Sequence, residues 1–405
     1  MRQCILIILM TLSFQLLPAQ KYVFSGTVYD EKTHEALAQV NVSGSKANVS
    51  VVTNEDGFFI LKTDVMPADL QISHLGYKTK RVKVSERNND VMKIMLTPAT
   101  IQLKEVVVWT NDPEELMFTA IRKIPDNYSK QPILYNCFYR ETAMKRQHHI
   151  YIAEGVLDMY KTSYKYNIGR DKVAIRKGRR LLSPKQSDTL GIKVNGGPVL
   201  PVFLDVVKNT ELLLNAEELS KYNFTMEFPA TINDRQQFVV SISPKIPQPY
   251  ALYYGKFYID RETLAFTRAE LELDMSDQDK ATNSMLVRKP AGVRFRPREL
   301  SCTIDYKYEN GLTSISYIRN TFRFNCDWKR RLFKTAFTAC CEMVVTDMER
   351  ENVQPIRGRV TFDSRDAFYD KVDFFKDPDF WKDYNIIEPS ESLDKAIGRL
   401  IKKYK

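Results

Sequence analysis

Along most of this chain apolar and polar residues alternate with a period of two, the mark of strands that bury one face. Between Tyr22 and Val108 the runs are short. Phe24, Gly26 and Val28 fall on one side of the first run, and Val23, Ser25, Thr27 and Tyr29 on the other. Further runs hold Val40 and Val42, Phe58 to Leu61, Leu70 to Ile72, Arg81 to Val84, Met92 to Leu96, and Ile101 to Val108. Turn chemistry separates them. Asn54-Glu55-Asp56-Gly57 supplies one tight turn and His74-Leu75-Gly76-Tyr77 another, each with a glycine free to take positive φ. Roughly seven short strands at this spacing predict a β-sandwich.

After Val108 the period changes. Asp112 is a good helix N-cap, Pro113 fits the first helical position, and Glu114 and Glu115 suit the helix dipole. Leu116, Ala120, Ile121 and Ile124 share one face, so the pattern predicts a helix over Pro113–Ile124 and a domain boundary near Trp109–Asp112. Strands are predicted over Asn136–Thr142 and Tyr151–Tyr160, then a polar stretch over Lys161–Gly197. A helix is predicted over Pro201–Leu214, anchored by Phe203, Leu204, Val207 and Leu214. Strands resume over Gln237–Ser243, Tyr253–Asp260, Leu264–Met275, Arg298–Glu309, Leu312–Asn325 and Arg331–Thr346. Several exceed the usual length of about 5–6 residues. Tight hairpins at Asp260–Thr263 and Asn310-Gly311 join them into a curved antiparallel meander. On the Tyr253–Met275 hairpin one face carries Tyr253, Phe257, Ile259, Leu271 and Leu273. The other carries Tyr254, Lys256, Tyr258, Arg268, Glu270 and Glu272. Ser390 caps a final helix whose Leu393, Ala396, Ile397, Leu400 and Ile401 form a narrow stripe, which favours packing on the sheet over lying on a membrane. The fold expected is mainly β: a seven-stranded sandwich, then an α+β domain with a curved antiparallel sheet and a few helices.

The residues of the first block carry a resemblance. Gly26-Thr27-Val28-Tyr29-Asp30, Val40-Asn41-Val42, Thr53 to Phe59, and Ile72-Ser73-His74-Leu75-Gly76-Tyr77 resemble the carboxypeptidase regulatory-like domain, a transthyretin-like sandwich. That module stands at the front of many TonB-dependent receptors and other gram-negative envelope proteins. The resemblance implies a fold and a habitat, not peptidase activity. A zinc peptidase would need His and Glu at short spacing, and none of the four histidines begins a His-x-x-Glu. Tyr254 to Ala265 is similar to the periplasmic lipoprotein-carrier fold, a half-barrel closed by helices. Ile121 to Tyr128, Phe138 to Glu141 and the tail from Asp377 look like uncharacterised envelope proteins that carry the same module.

The ends and the composition agree with that habitat. Arg2, then Ile5 to Met10 with Leu12, Phe14, Leu16 and Leu17, then Leu17-Pro18-Ala19, read as a signal peptide over residues 1–19. The expected division is therefore 1–19 signal, 20–109 sandwich and 110–405 body. Cys4 precedes the apolar run, where it cannot serve as a lipoprotein anchor. Of six cysteines, five remain beyond the signal, an odd number that leaves at least one unpaired. Cys340 and Cys341 are adjacent and would face opposite sides of a strand. Cys302, across the Asn310-Gly311 turn, would sit opposite Arg319, away from Cys326. Buried free thiols are expected. The formal charge of +10 is concentrated between Lys172 and Lys185. Secretion argues against nucleic acid as its partner and leaves acidic glycans or anionic lipid headgroups; a solvated loop or edge strand accounts for it without any ligand.

Candidate chemistry is sparse. His148 and His149 would face opposite sides of a strand, a poor arrangement for one metal. Asp363, Asp366, Asp370, Asp373, Asp377 and Asp379 lack calcium-loop spacing. No Gly-x-Ser-x-Gly, P-loop or Rossmann fingerprint is present. The length excludes a plug with a transporter barrel of roughly 22 strands, and the charged outer positions Arg268, Glu270, Glu272, Arg319 and Arg323 disfavour a small lipid-facing barrel. The reading is a non-enzymatic, cofactor-free binding or docking protein of the periplasm or outer-membrane surface, its partner an envelope protein or a lipid or glycan. One alternative is a lipid or lipoprotein carrier holding an apolar ligand on Phe257, Ile259, Leu271 and Leu273. Another is a glycan hydrolase.

Overall fold

Short strands with one buried face have to be paired off in two layers, and the first part of the chain does this. In this computed structural model, which describes residues 22–45, 47–86, 90–99, 112–185, 197–285, 292–328, 334–375, 377 and 379–403, seven strands form the predicted sandwich. They are β1 (Tyr22–Asp30), β2 (Asn41–Gly44), β3 (Ser50–Val52), β4 (Phe58–Thr63), β5 (Asp69–Ser73), β6 (Lys80–Lys83) and β7 (Met92–Leu96). One sheet runs β4-β1-β7 and the other β3-β2-β5-β6. Phe24, Val28, Val42, Phe59, Leu61, Leu70, Ile72, Ile94 and Leu96 fill the space between them. Gly57 turns with φ 73° and Gly76 with φ 78°; a side chain at Gly57 would strike the Val28 carbonyl. The signal segment, the 109/110 boundary and the Ile101–Val108 run lie outside the described residues.

The body begins with α1 (Pro113–Arg122), capped by the Asp112 carboxylate, and the short α2 (Ile124–Asn127). Its strands are β8 (Ile133–Lys145), β9 (His148–Lys161), β10 (Lys172–Leu182), β11 (Tyr222–Met226), β12 (Ala230–Ile232), β13 (Arg235–Pro244), β14 (Tyr253–Asp260), β15 (Phe266–Leu273), β16 (Val293–Glu309), β17 (Leu312–Trp328), β18 (Thr335–Glu349) and β19 (Asp373–Phe374). They form one curved sheet in the order β11-β13-β14-β15-β16-β17-β18-β8-β9-β10-β19, with β12 beside β13. Every pair is antiparallel except β10 with β19. The hairpins predicted at Asn310-Gly311 and after Asp260 are present. Asn310 and Gly311 both take positive φ, as a two-residue hairpin loop requires. A bulge near Asp305 and Tyr306 then slips the register by one, so Cys302 faces Asn320 and not Arg319. All five described cysteines are free.

The inner face of the sheet is packed by the chain itself. Here the helix expected over Pro201–Leu214 is replaced by α3 (Leu200–Leu204), a 3₁₀ turn at Thr210–Leu212, and α4 (Ala216–Leu219). The physical reason is Asp205. Its backbone leaves the helical region at ψ 81°, and its buried carboxylate is gripped by Lys161 at 2.8 Å, Tyr306 at 2.8 Å and Tyr164 at 2.9 Å. Phe203, expected as an anchor, is exposed, while Val207 and Leu214 are buried. Lys208 adds a second buried pair with Asp171 at 2.8 Å. Residues 197–219, α1 and the later side chains Phe362, Phe368 and Val372 share one core with Phe257, Ile259 and Leu271. Leu273 belongs to a smaller cluster with Ala251 and Ala281 of α5 (Gln278–Met285).

The outer face carries the sandwich and the tail. Val52 packs with Phe138, Val156, Tyr317, Val344, Trp381, Ile386 and Ile387. The last helix, α6 (Glu391–Lys402), lays Leu393, Ile397 and Leu400 on Ile152 and Leu181, the sheet packing its narrow stripe predicts. Between them Asn385 pairs its side-chain amide with both backbone groups of Lys62, at 2.8 Å each, and so closes the free edge of β4. With Phe257 fully buried in the inner core, Phe257→Ala should lower the urea midpoint by the equivalent of about 3–5 kcal/mol at unchanged m-value. A midpoint within experimental error of wild type would mean that Phe257 lines open space.

Candidate functional site

A five-strand charge ladder crosses the outer face. The strand registers set Arg179 of β10 opposite Glu154 of β9, Glu154 opposite Arg140 of β8, Arg140 opposite Glu342 of β18, and Glu342 opposite Arg319 of β17. Signs alternate at every step. Arg140 and Glu154 are both buried and meet at 2.8–2.9 Å. Arg179 reaches the other Glu154 oxygen at 3.0 Å, and the Trp381 indole donates to that same oxygen at 3.0 Å. At the far end Arg319 holds Glu342 at 2.8 Å, the Tyr317 hydroxyl donates to Glu342 at 2.9 Å, and Glu55 of the sandwich lies 3.7 Å from Arg319. Burial pushes the Glu154 carboxyl up, but Arg140 and Arg179 outweigh it and hold the group below the usual range.

The basic run between Lys172 and Lys185 is largely β10, and much of it is already engaged. Lys177 donates to the Phe380 carbonyl at 2.7 Å and sits 4.0 Å from that ring's centre. Arg179 lies 3.7 Å from the centre of Phe375, and Arg180 bonds the Tyr369 carbonyl. Arg176 pairs with Asp158. The aromatic connector of the tail therefore covers this strand through cation–π contacts.

Below the ladder three of its five strands, β8, β18 and β17, floor a cleft of about 370 Å³. Its floor is a grid set by register. The row after Arg140–Glu342–Arg319 is Thr142–Cys340–Thr321, and the next is Met144–Thr338–Arg323. The sandwich forms one wall through the turn Thr53–Glu55 with Ala38 and Gln39. The tail forms another through Ile387, Glu388, Ser390 and the α6 residues Ser392, Leu393 and Arg399. The sandwich fastens to the start of α6: Asn54 donates to the Pro389 carbonyl at 3.0 Å, and Asp56 accepts from the Glu391 amide at 2.6 Å.

The electrostatics of the cleft lean positive. Arg140 and Arg319 belong to the ladder. Arg323 meets Glu299 at 3.1 Å, its side chain more than half exposed. Arg399 is exposed and makes no ion pair or hydrogen bond among the described residues. His149 lines the cleft while His148 is exposed. Burial, and then Arg399 and Arg140, hold the His149 imidazole below its ordinary value. Burial pushes the Glu388 carboxyl up, against the pull of Lys62 and Arg140. The Cys340 thiol is raised to about 12, by burial and then Glu342, so it is no nucleophile.

The other sequence candidates fall elsewhere. Phe257, Ile259, Leu271 and Leu273 are all buried on the inner side, away from this cleft. In the acidic stretch Asp363 pairs with Arg365 and Asp366 with Lys371. No cluster of metal-ligating residues occurs among the described residues, and no described helix is long and apolar enough to cross a membrane. Sequence reasoning missed the grid, although its signal is there: Arg140, Thr142 and Met144, then Arg319, Thr321 and Arg323, then Thr338, Cys340 and Glu342 are spaced by two on strands whose other face is mostly apolar.

Comparison with known proteins adds a module and a general likeness. Residues 24–108 match the CarboxypepD_reg-like domain, the module anticipated from Gly26 to Tyr77. No curated protein matches the chain. Among solved structures, a DUF1329 family protein from Desulfovibrio piger is 7% identical, with 60% of this chain covering 95% of that one at a TM-score of 0.27. A domain described as an outer membrane lipoprotein-sorting protein from Vibrio parahaemolyticus is 10% identical, with 61% and 96% covered at 0.30. A LolA superfamily protein from Nitrosomonas europaea is 11% identical, with 59% and 94% covered at 0.22. At these values the likeness says nothing of ligand or reaction.

The ladder gives a direct test. Glu154→Gln leaves the buried Arg140 and the half-buried Arg179 beside a neutral amide, and should cost about 3–5 kcal/mol in urea unfolding at pH 7. Wild-type stability from Glu154 is full above the ordinary glutamate value of about 4.5 and drains as pH falls through the lower native value. Glu154→Gln should therefore show a shallower loss of stability on acidification, measured as urea midpoints between about pH 7 and pH 3.

Proposed function

We propose that this is a non-enzymatic binding protein of the gram-negative envelope, with the outer cleft as its binding site and the sandwich as a docking module that completes it. The signal-like first 19 residues and the envelope proteins in which the matched module occurs support the habitat. One observation carries the binding reading. Three separate parts of the chain converge on the cleft, yet Arg399 has no partner there and the Thr142 and Thr338 hydroxyls make no hydrogen bond among the described residues. Polar groups left open to solvent in a concave, pre-formed site are what a ligand uses. The nearby carboxylates Glu55 and Glu342 are held on Arg319, which suits a structural and binding role better than proton transfer.

A carrier of an apolar ligand is the second reading, favoured by the apolar inner face of a curved sheet. It requires residues 200–219 to leave Phe257, Ile259 and Leu271, and so to break the buried Asp205–Lys161 and Lys208–Asp171 pairs.

Hydrogen exchange separates the two. Incubated with a detergent-solubilised gram-negative envelope extract, the protein should gain protection in 140–149, 319–323, 338–342 and 392–399. Protection confined to 200–219 and 253–273 would replace this reading with the carrier.

A further inference from the structure

The cleft has a sign as well as a shape. Within the ladder each cation is matched: Arg140 by Glu154, and Arg319 by Glu342 and Glu55. Outside the ladder the wall holds Arg399, without any carboxylate among the described residues, and the floor holds Arg323, more than half exposed and paired with Glu299 at 3.1 Å. Glu388, the remaining carboxylate of the wall, is pushed by burial toward its neutral form. The His149 imidazole is depressed first by burial and then by Arg399 and Arg140. Beside the unpaired Arg399 and the exposed Arg323 lie hydroxyl groups. Thr142 and Thr338 have no hydrogen-bond partner among the described residues, and Thr321 completes the row.

We infer that the cleft binds a compact anionic group, a carboxylate or phosphate carried on a larger polar ligand, with Arg399 and Arg323 as its charged contacts and the threonines of the floor as hydroxyl partners. This rests on the cleft being the binding site. The arginine fork suits both carboxylate and phosphate. The volume of about 370 Å³ admits one acidic sugar or one phosphate headgroup, toward the small end of ligand sites. A cation would be repelled by Arg399. An apolar group would leave the open hydroxyls without hydrogen-bond partners.

The test is isothermal titration of the full-length protein with two acidic probes and their neutral counterparts. Trigalacturonate and maltotriose represent the glycan source; glycerol 3-phosphate and glycerol represent the headgroup source. At least one acidic probe should bind one-to-one while its neutral counterpart does not. Arg399→Glu and Arg323→Glu should each weaken that binding by about tenfold or more, as loss of one charge-assisted hydrogen bond implies. Arg399→Lys should retain most of it. Lys78→Glu, an exposed site on the sandwich, should change nothing. Whichever acidic probe binds names the source. Binding by neither, or binding indifferent to both charge reversals, would overturn the inference. If the envelope extract still protects the cleft from exchange in that case, the binding reading survives and only its charge assignment falls.

Discussion

The alternating ladder Arg179–Glu154–Arg140–Glu342–Arg319 is the constraint on which the outer half of this molecule depends. Burying Arg140 and Glu154 between a sheet and a tail is costly unless each charge finds opposite charge on both sides. Antiparallel register supplies that, because residues directly opposite on successive strands share a face. The tail completes what the strands begin. Trp381 donates to Glu154, and the Ile387 carbonyl accepts from Arg140 at 2.6 Å. Glu55 extends the alternation into the sandwich. One row of side chains thus fixes where three separate parts of the chain sit.

The inner face solves the opposite problem. A large curved sheet leaves a wide apolar concavity, and this chain fills it with its own residues 197–219, α1 and Phe362, Phe368 and Val372. The filling segment is not simply greasy. Asp205 and Lys208 carry charge into the core, where Lys161, Asp171, Tyr164 and Tyr306 receive it. Such pairs add little net stability over apolar packing but are severe when one partner is missing. Their effect is to fix the position of a segment that apolar contacts alone would leave free to slide.

With the inner face packed and much of the outer face covered, the cleft below the ladder keeps Arg399 and the Thr142 and Thr338 hydroxyls without partners among the described residues. It exists because the sandwich and α6 stop short of the last two rows of the grid. Its floor belongs to the rigid centre of the sheet, between strands of 13, 17 and 15 residues. Its walls belong to a turn and a helix end. Rigid floor and loop walls are the usual division of labour in binding sites. The front module supplies one of those walls.

The sequence by itself determined what depends on near neighbours along the chain. The sandwich strands follow from alternation broken by Gly57 and Gly76, α1 from the Asp112-Pro113 start, α6 from the Ser390 cap, and the β16–β17 hairpin from Asn310-Gly311. Each rests on backbone preferences or capping bonds within a few residues. Tertiary structure decided the rest. The pairing of β18 with β8 joins residues about 200 positions apart, and no local pattern announces it. The break at Asp205 arises because Lys161, Tyr164 and Tyr306 wait for its carboxylate, against a sequence that reads as one helix. A single bulge near Asp305 moved Cys302 to Asn320. The cleft could not be read in advance because the partners of Arg140, Arg319 and Arg399 come from distant strands, the sandwich and the tail. Alternation shows that these side chains face outward, and only the folded chain shows which of them are neutralised and which are not.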